Sequence, residues 1–163
     1  MSKTPFVYSL GQFTRPEDTS AYTAGDLVAN STTAGSVVPL SMSGLLVGGI
    51  GGTMEITRAK VRSNHTTPTN GVFRVHIYED TPGTPTNGDN GAHRCNTVND
   101  RGYIEVTLTT VGSTGQFGAA AATVPIMVRP VSGTIYVTLE ANGAYTPASA
   151  ETFRVDLEGY IHA

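Results

Sequence analysis

Hydrophobic and polar positions alternate along most of this chain with a period of two. The clearest run is Gly71–Asp80, where Phe73, Val75 and Ile77 alternate with Arg74, His76 and Tyr78. A second run near the end of the sequence sets Phe153, Val155 and Leu157 against Arg154, Asp156 and Glu158. That period is the mark of a β-strand with one buried face. These two runs are expected to be inner strands of one β-sandwich. The His76 side chain, on the polar set, is expected at the surface.

Other segments repeat the pattern more weakly. Phe6–Phe13 reads as an opening strand with Phe6, Tyr8 and Leu10 on one side, ended by Arg15-Pro16-Glu17-Asp18. Pro16 removes a ladder donor and biases Arg15 toward extended geometry. Leu27–Ala29 and Val37–Leu40 read as short extended pieces, with Pro39 suited to an edge. In Thr53–Val61, Met54 and Ile56 fall on one parity and Ala59 and Val61 on the other. One inserted residue flips every later side chain, so a bulge is expected near Thr57-Arg58. Tyr103–Leu108, Thr123–Val128, Thr134–Glu140 and Thr152–Tyr160 complete the set. In Thr123–Val128 the alternation places Val124, Ile126 and Val128 inward. Val111–Ala122 reads as small and flexible, because four alanines cannot nucleate a helix.

Eight or nine short strands without a convincing helix predict an all-β fold: a single-domain antiparallel β-sandwich over residues 1–163, jelly-roll-like, with an immunoglobulin-like sandwich as the alternative. The Cys–Trp–Cys pattern of true immunoglobulin domains is missing, since the chain has one Cys and no Trp. Asp80–Gly102 is left as the longest irregular segment. A loop of that length is usually functional or mobile, and it is expected to be solvated or to meet a partner.

Composition narrows the function classes. Charged residues are only 14%, and the formal net charge is −3. With no run of Lys or Arg, counterion release offers no drive toward nucleic acid. No window reaches the roughly 18 apolar residues of a membrane span. The nearest candidate, Leu45–Ile50, is short and broken by glycines. Gly44–Gly52 holds five glycines but lacks the Gly-Lys-Ser/Thr ending of a phosphate loop.

Catalytic and metal motifs are equally sparse, and neither an enzyme nor a cofactor is expected. Cys95 stands two residues from His93, but sequence adjacency is not the geometry of an activated thiol. His93 has no second ligand at structural zinc spacing apart from Cys95. Asp80, Asp89, Asn90 and Asp100 are hard oxygen donors whose spacing does not fit an EF-hand loop. Seven tyrosines leave a sugar-binding module open, provided two or three of them form an exposed coplanar platform.

Three passages carry a family resemblance: Arg15–Ser31 (RPEDTSAYTAGDLVANS), Phe73–Tyr78 (FRVHIY) and Glu140–Ser149 (EANGAYTPAS). The chain resembles a group of small proteins encoded among the structural genes of tailed bacteriophages, of the head decoration or cement type. The resemblance implies a β-sandwich on the outside of the virion capsid, made in the host cytoplasm. It further implies a homo-oligomer, trimer favoured and dimer possible, bound to the major capsid protein and bridging capsomers. The alternative is a carbohydrate- or receptor-binding module of a fibre or head appendage. On a cement protein the N-terminal segment, residues 1–20, is the expected clamp. Phe6, Tyr8, Phe13 and Arg15 combine aromatic anchors with an arginine, the types enriched at interface hot spots.

Overall fold

The computed structural model describes residues 3–44, 52–67, 71–111, 115–130 and 132–162. The glycine-rich stretch 45–51 and its candidate apolar run lie outside the described residues. The strands are β1 (Lys3–Thr14), β2 (Asp26–Val28), β3 (Leu40–Met42), β4 (Thr53–Ser63), β5 (Val72–Tyr78), β6 (Asp100–Thr107), β7 (Thr109–Thr110), β8 (Gln116–Val128), β9 (Ile135–Ala141) and β10 (Thr152–His162). One short 3-10 turn, Ala34–Ser36, completes the described elements.

The strands form two antiparallel sheets. The first has the order β1-β10-β4-β8-β7, and the second β2-β9-β5-β6. β3 pairs with the end of β9 that β2 leaves free, so β2 and β3 are two pieces of one interrupted edge strand. The pairing is nested. β5 pairs with β6, β4 with β8, β2 and β3 with β9, and β1 with β10. A long hairpin rolled on itself in this way is a jelly roll, and the topology decides for that winding over the immunoglobulin-like one.

The two strongest alternating runs take the central places. β5 lies between β9 and β6, and β10 between β1 and β4. Phe73, Val75 and Ile77 face Phe153, Val155 and Leu157 across the core, and all six are fully buried. The Phe73 and Phe153 rings meet edge to face at 5.3 Å. Each such side chain contributes roughly 1.5–3 kcal/mol on burial. The expected parity switch in β4 is also present. Its register against β8 shifts between Ile56 and Arg58, and Ile56, Ala59 and Val61 all point inward. Opposite that bulge, Gly159 lies against the Glu55 carbonyl so closely that an added Cβ would overlap it.

Three expectations need correction. β8 begins at Gln116 and takes in the alanines that read as a flexible linker. Pairing with β4 holds them extended, through Arg58↔Ala121, Ala59↔Ala120 and Lys60↔Ala119. Tertiary pairing overrides their poor strand preference. Second, Val124 does not face inward. The β8 register jumps from Ala121 to Ile126 while β4 advances only from Arg58 to Ile56, so the residues between bow outward and Val124 is 72% exposed. Third, the long loop is not solvated throughout. It folds back over the second sheet and bonds to β2: Leu27 N–H donates to the Gly91 carbonyl at 2.7 Å, and Asn90 N–H to the Leu27 carbonyl at 2.9 Å. Under this cover His76, expected at the surface, is only 9% exposed.

Candidate functional site

The expected contact residues separate into different environments. The first half of β1 is an edge. It pairs with β10 on one side, and no strand pairs with its other side among the described residues. Val7, opposite Glu158, points away from the core and is 71% exposed. Tyr8, opposite buried Leu157, has core-facing parity yet remains 45% exposed. Phe6 and Phe13 are partly buried against the core, and Phe13 stacks on Phe153 at 5.7 Å. Met127 and Tyr160 add exposed apolar surface to the outer face, in register with Glu55 between them.

Arg15 corrects the expectation of a surface anchor. It is 2% exposed, and its guanidinium is committed inside the protein. Nε donates to the Tyr22 hydroxyl at 2.9 Å. Nη2 donates to Asp18 at 2.9 Å and to Asp89 at 3.0 Å. Asp89 in turn accepts from the Tyr22 hydroxyl at 2.7 Å and from the Ala29 N–H at 2.8 Å. Burial pushes the Asp89 carboxyl above its usual range, against the pull of Ala29, Tyr22 and Arg15. Burial, then the neighbouring carboxylate, also pushes the Tyr22 phenol up. The hub ties the exit of β1 to β2 and to the long loop.

Beside it lies an aromatic column. Tyr22 and Tyr145 are bridged backbone to backbone and stack at 6.4 Å, and Tyr145 meets Phe73 edge-on at 5.2 Å. The Tyr145 hydroxyl donates to fully buried Glu151 at 2.6 Å. Residues from all three passages that carry the family resemblance therefore meet here. Their roles in this hub are architectural.

A second polar cluster occupies the outer face of the second sheet, beneath the long loop. His76 on β5 sets Nδ1 3.1 Å from an Asp100 oxygen and Nε2 2.7 Å from Glu140 Oε2. The Arg74 guanidinium donates to the other Glu140 oxygen at 3.0 Å and stacks over Tyr103. His93, carried in by the loop, lies face to face with His76 at 4.4 Å, and its Nε2 is 2.8 Å from the Thr138 hydroxyl. Burial, then the neighbouring His76, pushes His93 down to about 4. Donor atoms of His76, His93 and Glu140 all lie within 4.8 Å of one another. Spacing along the chain hid this group, because its members come from two strands and a loop. Cys95 is half-buried nearby, and burial pushes its thiol up, opposite to the depressed value of a reactive thiolate.

No protein-family model matches the chain, and no curated protein matches it.

Proposed function

We propose that this chain is a structural, non-catalytic decoration protein of a phage head, binding the outer capsid surface and bridging neighbouring capsomers. The observation that supports it best is the first half of β1. An edge strand with free backbone groups is a template for pairing, and proteins that stay alone usually blunt such edges with charge, proline or a cover. Pro5 and Lys3 do so in part, but Val7 and Tyr8 leave apolar surface on both faces of the strand. A partner that adds a strand there gains backbone hydrogen bonds as well as side-chain contact.

The outer face of the first sheet suits the same role. Val7, Met127 and Tyr160 offer apolar contact between ion pairs such as Arg58–Glu158 at 3.6 Å. Exposed ion pairs add little affinity, so the apolar side chains carry most of the contact. Each contact is weak alone and gains from its neighbours once a lattice fixes the geometry. In this reading the major capsid protein is the partner and the chain acts as a homo-oligomer, a trimer first. The exposed tyrosines lie apart: Tyr160 on the outer face of the first sheet, Tyr8 on the opposite parity of its edge, and Tyr103 beneath Arg74 on the second sheet. They give a sugar-stacking module no shared platform.

The test is binding of the purified protein to capsids stripped of it, beside unassembled capsid protein and a glycan panel. Saturable binding to the lattice alone, with better survival of heated capsids, supports the proposal. No capsid binding together with a glycan hit sinks it.

A further inference from the structure

We infer that His76, His93 and Glu140 form a binding site for one divalent transition-metal ion of the zinc class. The inference is independent of the capsid reading.

The donor set comes first. Two imidazoles and one carboxylate are a recurrent three-ligand set for zinc, with water in the fourth position. Calcium and magnesium prefer all-oxygen surroundings, so two imidazoles point away from them. Geometry comes next. Ligand atoms about 2.0–2.1 Å from a tetrahedral ion stand about 3.3 Å from one another. The three donors already lie within 4.8 Å, so no separation has to close by more than about 1.5 Å. His93 leaves its stack on His76 and exchanges the Thr138 hydroxyl for the ion. The ion takes the place of the proton that His76 shares with Glu140.

The surroundings are those of a prepared site. Metal-bound histidines almost always give their second ring nitrogen to a carboxylate or carbonyl, which fixes the tautomer. Asp100 stands in that position, 3.1 Å from His76 Nδ1, and leaves Nε2 to face the centre. Arg74 holds the far oxygen of Glu140 and leaves Oε2 to face the same point. Glu140 and Asp100 would offset the charge of an ion that displaces the proton between His76 and Glu140. His76 and Glu140 are buried, and His93 is partly exposed on the loop, which gives the ion a way in past that ring. Once bound, the ion would clamp the long loop to β5 and β9.

The experiment uses the full chain after chelator treatment. Cobalt(II) is titrated as a visible reporter of tetrahedral coordination, and zinc is then added in competition. One cobalt per chain, displaced by zinc and accompanied by a rise in Tm, is the expected result. His93→Gln should weaken binding by more than about 100-fold, since even losing an outer-shell partner costs roughly 10–100-fold. The variant loses the stack on His76 and the Thr138 contact, so its own metal-free Tm is the baseline from which any ion-induced rise is read. Asp100→Asn should weaken binding within the roughly 10–100-fold range. Cys95→Ser should leave it unchanged. No cobalt band at millimolar ion would overturn the site. So would binding that survives His93→Gln, or binding lost with Cys95→Ser alone.

Discussion

Asp89→Ala is the sharpest test of the buried hub. The change removes the buried carboxylate that pairs with Arg15, and takes an acceptor from three donors: Arg15 Nη2, the Tyr22 hydroxyl and the Ala29 N–H. Each buried donor left unpaired costs about 1–3 kcal/mol. Arg15 keeps Asp18 and Tyr22, so the sum falls toward the lower end, about 3–5 kcal/mol, as for other broken buried ion pairs. Against a total stability of roughly 5–15 kcal/mol that is a large loss. For a chain of this size it lowers Tm by roughly 6–20 °C. Urea unfolding followed by far-UV circular dichroism, with calorimetry beside it, measures both quantities. Arg15→Met/Asp89→Leu removes both buried charges and should be less destabilised than Asp89→Ala alone, because no uncompensated charge remains. An Asp89→Ala variant within about 1 kcal/mol of the parent would refute the reasoning. So would a double variant whose loss equals the sum of the two single changes, since coupled partners are not additive.

Further outcomes follow from other sites. Gly159→Ala drives a methyl group into the Glu55 carbonyl at the β4 bulge, so either the bulge opens or the sheet weakens; the loss should exceed about 2 kcal/mol by urea unfolding. Val7→Glu touches no buried group, so it should hold stability within about 0.5 kcal/mol while weakening attachment to stripped capsids in a co-sedimentation assay. Asp18 accepts from the Ser20 N–H and pairs with Arg15, which hold its carboxyl below the usual range. Its contribution is therefore complete above the ordinary aspartate range and fades as pH falls through the lowered value. Asp18→Asn should flatten the acid end of a Tm-against-pH curve by a small amount, since more than a third of the side chain is exposed and solvent screens the pair. An unchanged acid limb would show that the turn after β1 does not depend on that charge.

The sheets were legible in the sequence wherever large apolar side chains alternate. β5, β9 and β10 bury the residues that their parity assigns, and the β4 bulge could be placed because Ile56 and Ala59 cannot share a parity without one. β8 was not legible in its first half, because alanines and a glycine carry no parity signal and only pairing with β4 holds them extended. The buried polar groups were hidden for a different reason. Arg15 and Asp89 lie far apart in the chain, and a charged residue beside a proline reads as surface unless its partner is known. His76 sits on the polar parity of its strand, and the loop that covers it bears no periodic pattern. Local alternation reports which side of a sheet a residue takes. It is silent on what another part of the chain lays over that side.

The nested winding sets the timing of folding. β10, the strand between β1 and β4, comes from the end of the described chain, and its partner β1 from the beginning: Lys3 lies opposite His162. A growing chain can close the β5–β6 hairpin early, but the first sheet lacks its middle until Thr152–His162 has left the ribosome. Contacts of such high order form late and slowly, on the millisecond-to-second scale typical of all-β domains. Throughout that interval β1 waits with neither edge satisfied, and Val7 and Tyr8 stay open to any other strand at hand. During synthesis, pairing between nascent chains through that open edge is then the hazard.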